Sequence, residues 1–521
     1  MKALKRFARV LGIGLLVLAA LVVSGLLLAD HLTPRATGAP SHALALQPDQ
    51  TAIDRELAPL LAAHPADTGV LMLPDGLDGF AARAMAARNA GRSLDLQYYI
   101  WHDDLTGHLL AREIYLAAQR GVRVRLLLDD MNAEGLDPKL LTLDAHPNIE
   151  LRLYNPFRNR AGIGRLFEMA QRLFSVNHRM HNKAWIADGR VALVGGRNIG
   201  DEYFDANRSV NFRDLDMLLL GPAVADASAI FDDFWNSSAA VPIEALNPQT
   251  PENLHKLVAA LAHESADATA QVYLKRVATS PSAQRLSNHE LSPHWSANIV
   301  VASDPPLKTR SADRGSWLQP RLAAHLGGVH SEVLLISPYF VPGRQGTATL
   351  LGLVHSGTRV GVITNSLATN DVPAVHSGYE RYRPRLLAGG VSLYELRRNG
   401  PVATQGLFGS SGASLHTKAF VIDGTRGFVG SFNLDPRSAN LNTEMGVLFD
   451  DPGLARDLRQ EYLRLAAPAL SYQLRRGADG STQWLDRTTQ PPQVLGHEPD
   501  AGWWLRAITR VMSWLPIESQ L

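Results

Sequence analysis

The sequence predicts an α/β protein made of two similar domains, and three observations support this prediction. Its 521 residues suit two domains of ordinary size. Apolar strands predicted at 93–101 and 122–128 flank a helix, an order typical of a parallel crossover. A pattern of His, Lys, Asp, Gly and Asn occurs twice, 235 residues apart, and neighbouring strands recur at similar offsets. The repetition indicates a duplicated domain.

The repeated pattern keeps the same residue types at the same spacing in both copies. It consists of His181, Lys183, Asp188, Gly195 and Asn198 in the first copy and of His416, Lys418, Asp423, Gly430 and Asn433 in the second. By chance, this composition would give about 0.02 matches to the His, Lys and Asp part alone. Two complete matches at equivalent places in a repeat therefore indicate a functional site.

The residue types in the pattern suit covalent chemistry at phosphorus. An imidazole can attack phosphorus, while ammonium and amide groups can hold the phosphate oxygens. His181 and Lys183 are two residues apart, so in an extended strand their side chains point to the same face. Asp188 and Asp423 belong to the same catalytic motifs but begin Asp-Gly turns between two short strands, which predicts β-hairpins. That position favours a structural role for both aspartates over direct chemistry.

These motifs resemble the signature of the phospholipase D superfamily, which carries two such His-Lys-Asp motifs. Residues 195–204 and 515–518 are similar to the bacterial cardiolipin synthase C group within that superfamily. The resemblance covers nearly the whole chain after residue 29. It implies two phospholipase D-like domains, each a mixed β-sheet flanked by helices. It also implies that a pseudo-twofold axis relates the domains and that they share one active site.

The resemblance further implies a role for each motif residue. His181 would be the nucleophile and His416 the general acid and base, although the residues alone do not distinguish them. The phosphate oxygens would be held without a metal by Lys183, Lys418, Asn198 and Asn433.

A carboxylate is needed to orient each imidazole. Glu444 lies where the superfamily keeps such a residue, and Asp216 is the predicted counterpart in the first half. No metal or other cofactor is implied. The acidic pair 103–104 is predicted to cap a helix and the pair 129–130 to end a strand, rather than to bind a metal.

The N-terminus predicts a membrane anchor. Four basic residues precede an uncharged apolar run at 10–29, which is long enough to cross a bilayer of roughly 30 Å. A signal sequence is the alternative, but its shorter apolar core and small-residue cleavage site fit poorly. The basic residues place the N-terminus inside and the catalytic domains on the periplasmic side of a bacterial inner membrane.

The remaining chain divides into segments according to its composition. After the anchor at 1–29, we predict a tether at 30–50, a first domain at 51–241, a connector at 242–283, a second domain at 284–470 and a tail at 471–521. Two amphipathic segments, predicted at 157–180 and 503–515, have apolar residues at helical spacing with interspersed arginines. Either could lie in a membrane interface or pack on the protein itself.

Composition and resemblance together favour a lipid substrate. A formal net charge of +1 argues against a nucleic-acid partner, and the absence of cysteine excludes a cysteine nucleophile. We expect phospholipids in the membrane as substrates, with a phosphatidyl group transferred through a histidine to phosphatidylglycerol to make cardiolipin. The donor would be phosphatidylethanolamine or phosphatidylglycerol. A hydrolytic phospholipase D is the alternative, and a nuclease-type phosphodiesterase a weaker one. The sequence indicates neither an accessory protein nor an oligomeric state.

Overall fold

The structure is a computed structural model of the chain. It describes residues 37–160, 177–246, 253–398 apart from 289 and 291, 412–515 and 518–521, with scattered positions before 37 and between 161 and 176. Most of the predicted anchor and of the amphipathic segment at 157–180 lies outside the described residues. Within the described part of the chain, no helix has the length and apolar character needed to cross a membrane.

The first domain is built on a mixed nine-stranded sheet. Its strands are β1 (Thr68–Leu73), β2 (Ser93–Tyr98), β3 (Arg123–Asp129), β4 (Ile149–Tyr154), β5 (Ala184–Ala187), β6 (Val191–Gly195), β8 (Asp216–Leu220), β9 (Ala240–Pro242) and β10 (His294–Ser296), while β7 (Val210–Arg213) lies apart from this sheet. Its helices are α1 (Ala52–Ala63), α2 (Gly76–Asn89), α3 (Leu105–Gln119), α4 (Asp137–Asp144), α5 (Ala223–Trp235), α6 (Leu254–Ala266), α7 (Ala268–Ala278) and α8 (Pro281–Ser287). The spatial order is β10-β1-β8-β6-β5-β2-β3-β4-β9.

The second domain repeats this plan on a ten-stranded sheet. Its strands are β11 (Ile299–Ser303), β12 (Glu332–Ile336), β13 (Arg359–Asn365), β14 (Ser392–Leu396), β16 (Lys418–Ile422), β17 (Arg426–Gly430), β18 (Met445–Asp450), β19 (Ser471–Arg476), β20 (Thr482–Asp486) and β21 (Gln493–Leu495), with β15 (Gly412–Leu415) outside it. Its helices are α9 (Leu318–His325), α10 (Gly343–His355), α11 (Pro373–Glu380), α12 (Arg383–Ala388), α13 (Pro436–Asn440), α14 (Pro452–Leu465) and α15 (Trp503–Met512). The spatial order is β11-β18-β17-β16-β12-β13-β14-β19-β20-β21.

Each sheet has the same centre, which confirms the predicted mixed α/β domains. Three parallel strands lie side by side, β2-β3-β4 in the first sheet and β12-β13-β14 in the second. An antiparallel hairpin borders each set, β5-β6 next to β2 and β16-β17 next to β12. The hairpins carry the repeated motifs, so the duplication seen in the sequence is also a duplication of structure.

The crossover helix α3 shows how local sequence fixes these elements. The Asp104 side chain caps its first turn by accepting a hydrogen bond from the Gly107 N–H at 3.0 Å. After the helix, Gly121 has φ of +92°, a conformation that glycine adopts without steric cost. The chain then enters β3, parallel to β2, as the predicted crossover requires.

The two domains pack through a shared apolar core. Side chains on one face of the first sheet, among them Val70 and Met217, belong to the same buried cluster as Ile336 and Val447 of the second sheet. Strands β7 and β15 form a separate parallel pair in which the first domain hydrogen-bonds to the second. Burial on this scale fixes the orientation of the two motif hairpins.

Several segments do not follow the domain boundaries that were predicted from the sequence. Strand β10 falls within the predicted second domain, yet it pairs with β1 in the first sheet. Strands β19 to β21, from the predicted tail, extend the second sheet. The later part of the predicted tether is held against the first domain, where the Ser41 N–H donates to Asn236 Oδ1 at 3.0 Å. These pairings join chain segments far apart in sequence.

Candidate active site

The motif hairpins bring both histidines to the boundary between the domains. His181 lies just before β5, and its backbone N–H donates to the Thr443 carbonyl of the second domain at 2.9 Å. His416 lies just before β16, and its N–H donates to the Arg213 carbonyl of the first domain at 2.7 Å. Each histidine is therefore held in place by the backbone of the opposite domain.

The residue after each of those carbonyls orients the imidazole. Glu444 of the second domain lies 2.8 Å from His181 Nδ1, and Asp214 of the first domain lies 2.5 Å from His416 Nδ1. Both carboxylates are fully buried. Because each carboxylate contacts the Nδ1 atom of its imidazole, the Nε2 atom remains for chemistry. The arrangement is the same in both halves, with the domains exchanged.

The aspartate in this arrangement is Asp214, which corrects the assignment of Asp216. In the strand register, Gly195 of β6 lies opposite Asp216, while Gly430 of β17 lies opposite Gly446. Asp216 is therefore the structural counterpart of Gly446, and the residue two positions earlier matches Glu444. The first half has carboxylates at both positions, and the sequence offers no means of choosing between them without the strand alignment.

Asp216 has a different set of partners. Its Oδ2 lies 2.9 Å from Arg83 Nη1 and 3.2 Å from Arg197 Nη1, and all three side chains are buried. Burial lowers the pKa of Arg83 and the charge of Asp216 raises it. The net result is a raised pKa. The buried Asp216 therefore joins β8 to α2 through Arg83 and to the segment after β6 through Arg197.

Both lysines lie beside the histidines, with very little of either exposed. Lys183 Nζ donates to the His181 carbonyl at 2.6 Å, and Lys418 Nζ donates to the His416 carbonyl at 2.5 Å. Burial lowers the pKa of Lys183 well below its ordinary value and that of Lys418 to about 8. Each keeps donors available beyond its one backbone bond, because an ammonium group has three.

The electrostatic surroundings of the two imidazole–carboxylate pairs differ. Burial, followed by the charges of Lys183 and Lys418, lowers the pKa of His181 well below its ordinary value. Burial also raises the pKa of Glu444 to about 7. In the other pair, burial and Lys418 lower the pKa of His416, but the charge and hydrogen bond of Asp214 oppose them.

Asp214 differs from Glu444 because it stays ionised. Burial by itself would raise the pKa of Asp214, yet the charge and hydrogen bond of His416 lower it well below the ordinary value overall. A permanently charged carboxylate favours an imidazolium, whereas a carboxyl group that titrates near pH 7 does so less. Burial lowers the pKa of both imidazoles, but Asp214 opposes this at His416, so His416 holds a proton more readily than His181 does.

The two motif asparagines are held differently. Asn198 Oδ1 accepts from the Ile100 N–H at 3.2 Å, and its Nδ2 donates to Tyr203 Oη at 3.0 Å, which leaves one amide hydrogen. The Asn433 backbone N–H donates to Ser438 Oγ at 3.3 Å, while its side-chain Oδ1 is buried without a partner in the described part of the chain. A phosphate oxygen accepts hydrogen bonds, so each asparagine can bind one only through its Nδ2 hydrogens.

The motif aspartates lie away from the histidines, at the far ends of the hairpins. Asp188 accepts from the N–H groups of residues 91, 92 and 93 at 2.8 to 3.2 Å, just before and at the start of β2. Asp423 accepts from the N–H groups of residues 330, 331 and 332 at 2.8 to 2.9 Å before β12. Both have positive φ, 53° and 51°. Their geometry is that of structural residues that fix equivalent turns.

Three neutral side chains complete the site and were not among the predicted residues. Ser431 and Ser438 donate hydroxyl hydrogen bonds to the two oxygens of Glu444 at 2.5 and 2.8 Å. The Tyr203 ring packs edge-on against His416 with centroids 5.2 Å apart. Ser431 follows directly after Gly430, and Tyr203 lies in the stretch 195–204 that resembles the cardiolipin synthase C group, so the place of each in the sequence was a usable signal.

Among the described residues, one group of side chains could hold a metal ion, and no residue of either motif belongs to it. His102, Asp104 and Glu202 have ligand atoms within 4.8 Å of one another. His102 Nδ1 lies 3.1 Å from Glu202, an ion pair that raises the pKa of His102, and Asp104 caps α3. Asp129, from the acidic pair at the end of β3, accepts a hydrogen bond from the Met180 N–H at 2.8 Å. These carboxylates have protein partners, as the helix-cap and strand-end assignments predicted.

Comparison with known proteins agrees with this architecture. A family model described as "Cardiolipin synthase, PLD-like domain" matches residues 85–235 and 322–466. The chain is 41% identical over 466 residues to cardiolipin synthase C of Escherichia coli K12, covering 88% of this chain and 98% of that protein. It is 25% identical over 403 residues to a cardiolipin synthase of Staphylococcus aureus Mu50, covering 76% of this chain and 67% of that protein.

A solved structure shares the fold at lower sequence similarity. The crystal structure of phosphatidylserine synthase from Haemophilus influenzae Rd KW20 matches with a TM-score of 0.57 and 15% identity, over 90% of this chain and all of that one. The fold and the site define a phospholipase D-like protein with two motif-bearing domains. The chain belongs to the cardiolipin synthase family of phospholipase D-like proteins and is an enzyme of that family.

Proposed function

We propose that this enzyme is a phosphatidyltransferase that makes cardiolipin, using one active site shared by its two domains. The observation that carries the proposal is the reciprocal pairing of His181 with Glu444 and of His416 with Asp214 across the domain boundary. Two buried imidazoles that each keep Nε2 available can divide the roles of nucleophile and acid between them. Membership of the cardiolipin synthase family supports the choice of a phospholipid substrate.

In the first half-reaction, His181 Nε2 attacks the phosphorus of the donor phospholipid. A phosphorus–nitrogen bond forms, and the bond from phosphorus to the headgroup oxygen breaks. His416, protonated at Nε2, gives its proton to the departing alkoxide, so the headgroup leaves as a neutral alcohol. The phosphatidyl group is then held covalently on His181. With phosphatidylethanolamine as donor the released alcohol is ethanolamine, and with phosphatidylglycerol it is glycerol.

The second half-reaction reverses these roles toward a new alcohol. A glycerol hydroxyl of phosphatidylglycerol gives its proton to the now neutral His416 and attacks phosphorus. The new phosphorus–oxygen bond forms as the bond to His181 breaks, which releases cardiolipin and restores both imidazoles. During both steps Lys183, Lys418, Asn198 and Asn433 would hold the non-bridging oxygens through their N–H donors.

The difference between the two carboxylates supports His181 as the nucleophile. A nucleophilic imidazole must be neutral, and burial with two nearby lysines favours the neutral form of His181. The acid must carry a proton, and the ionised Asp214 beside His416 favours that form. This assignment agrees with the roles that the family resemblance implied.

The lipid substrates imply that the enzyme works at a membrane. We infer that residues 10–29 form an uncleaved anchor and that the catalytic domains lie on the periplasmic side of the bacterial inner membrane. The uncharged apolar run and the basic residues before it support this orientation.

Lipid analysis of cells without other cardiolipin synthases tests the proposal. We expect cardiolipin in cells that express the chain and none in cells that express His416→Ala at the same level. Accumulation of phosphatidic acid in place of cardiolipin would indicate the hydrolytic alternative. An unchanged phospholipid profile with the protein present in the membrane would contradict phosphatidyl transfer altogether.

A further inference from the structure

The C-terminal helix α15 exposes an unusual amount of aromatic surface. Trp503, Trp504 and Trp514 are 72%, 62% and 77% exposed. The chain has nine tryptophans, and the other six are buried or half-buried. Exposed tryptophan is therefore confined to one helix and the turn that follows it. A cluster of this kind marks a surface that contacts something outside the chain.

The exposed side chains lie on one side of the helix. Trp504, Ala507, Val511 and Trp514 recur at helical spacing, and all four are exposed. The opposite side carries Thr509, which is buried where α15 packs against α11. The helix is thus packed through one face and leaves a second apolar face uncovered by the described part of the chain.

Contacts on both sides of α15 hold it firmly in place. Before the helix, Glu498 lies 2.8 Å from Arg383 and 3.3 Å from His376, both on the second domain. After it, Arg381 donates to the Leu515 carbonyl at 2.9 Å and Tyr382 donates to Glu518 at 2.5 Å. The exposed face is therefore presented by a fixed element and does not belong to a loose end.

The end of the tail reaches the surroundings of the active site. The Arg437 N–H, four residues after Asn433, donates to the Leu521 carbonyl at 2.7 Å. Gln520 Oε1 accepts from Asn177 Nδ2 at 2.7 Å, four residues before His181. The end of the tail therefore bonds to the chain just before the first motif and just after the second.

The charges near this face identify its occupant. Arg506 and Arg510 lie on α15, and no acidic residue occurs between Asp500 and Glu518. Tryptophan prefers the headgroup level of a bilayer, where its ring is partly buried and its N–H stays hydrated. Arginines beside such an apolar face add attraction to negatively charged lipid.

We propose that the tryptophan face of α15 (Trp503, Trp504, Val511 and Trp514) docks on the surface of an anionic phospholipid bilayer. This contact, separate from the predicted N-terminal anchor, holds the domains against the headgroups that the active site uses. The role in substrate access rests on the proposed function, whereas the docking itself does not.

Quenching by brominated lipids tests the docking directly. The full chain is reconstituted in bilayers of phosphatidylglycerol and phosphatidylethanolamine, with or without bromine on the acyl chains, and tryptophan emission is compared. The predicted anchor contains no tryptophan, so it adds no signal. We expect brominated lipid to quench the wild-type emission and to lose most of that effect in a variant with Trp503, Trp504 and Trp514 all changed to Phe. The matched control Trp295→Phe removes a half-buried tryptophan and should be quenched like the wild type.

Equal quenching in the triple variant and the wild type, or no quenching in the wild type, would overturn the proposal. Absent quenching together with a sedimentation coefficient that rises with concentration, and rises less in the triple variant, would also overturn it. That result would assign the face to a second copy of the chain.

Activity measurements separate docking from chemistry. We expect Trp504→Ser combined with Trp514→Ser to lower turnover of bilayer phosphatidylglycerol by about tenfold. Turnover of a dispersed short-chain phosphatidylglycerol should stay unchanged. An equal fall on both substrates would contradict a docking role. If the proposed reaction itself is wrong, the wild type turns over neither substrate while the quenching persists.

Discussion

The two halves of the active site share their geometry but differ in their charge. Each imidazole contacts a carboxylate from the opposite domain, and each histidine N–H bonds to the carbonyl before that carboxylate. Burial raises the pKa of Glu444 to about 7, whereas the charge and hydrogen bond of His416 hold the pKa of Asp214 well below its ordinary value against the effect of burial. The comparison teaches that a duplicated fold can assign different roles to equivalent histidines through the surroundings of one carboxylate.

Removal of either imidazole should give the largest effect. We expect His181→Ala and His416→Ala each to lower kcat by about 10⁴-fold or more, because neither imidazole can fill both roles. A donor whose headgroup leaves without protonation, such as a nitrophenyl ester, should separate them. That donor should restore release of the leaving group in His416→Ala and not in His181→Ala. Restoration in His181→Ala would reverse the two roles.

Neutralisation of the two carboxylates should show the asymmetry directly. We expect Asp214→Asn to lower kcat by about 10²–10³-fold, because the amide cannot stabilise an imidazolium. Glu444→Gln should cost only about tenfold, since a carboxyl group with a pKa of about 7 is already partly neutral. The comparison is made at pH 7 with purified variants of equal stability. Equal losses would show that the two pairs are electrostatically equivalent.

The lysines predict an alkaline limit to activity. Burial lowers the pKa of Lys418 to about 8, so its charge is present below that pH and is lost as pH rises through it. The pKa of Lys183 is also lowered, which acts in the same direction. We expect kcat/KM to fall at or below about pH 8 instead of near the ordinary lysine value of 10.5. A wild-type profile flat to pH 10 would contradict this expectation.

The motif aspartates should affect stability and leave the chemistry intact. Asp188 is buried and accepts three backbone N–H groups, so we expect Asp188→Ala to reduce the free energy of unfolding by about 2–3 kcal/mol. Asp423→Ala should cost less, because that aspartate is more exposed. The matched Asn variants keep an acceptor and tolerate positive φ, so their losses should be smaller. Urea unfolding checks the order, and a large loss of kcat in the folded Asn variants would count against a structural role.

Much of the site followed from the sequence because its two motifs are contiguous. The spacing of His181 and Lys183 on one strand face and the hairpin turn at Asp188 are local properties, and local properties are readable without a structure. The pairing of Glu444 with His181 joins residues 263 positions apart, so no local pattern contains it. The sequence identified Glu444 as an orienting carboxylate but not the histidine that it contacts.

The choice between Asp214 and Asp216 shows the limit most clearly. The two are two residues apart, so in an extended chain both point to the same face. Only the register of β6 against β8 places Asp216 opposite Gly195 and leaves Asp214 at His416. The predicted second domain at 284–470 includes β10 for the same reason, because the pairing of β10 with β1 links distant parts of the chain.

Trapping the covalent intermediate tests the central claim most directly. The enzyme is mixed with a donor phospholipid labelled in its phosphatidyl group, quenched under conditions that preserve phosphohistidine, and digested for mass spectrometry. We predict the phosphatidyl group on the peptide that contains His181, more of it in Asp214→Asn given the nitrophenyl donor, and none in His181→Ala. A phosphatidyl group on His416, or turnover without any covalent adduct, would contradict the account.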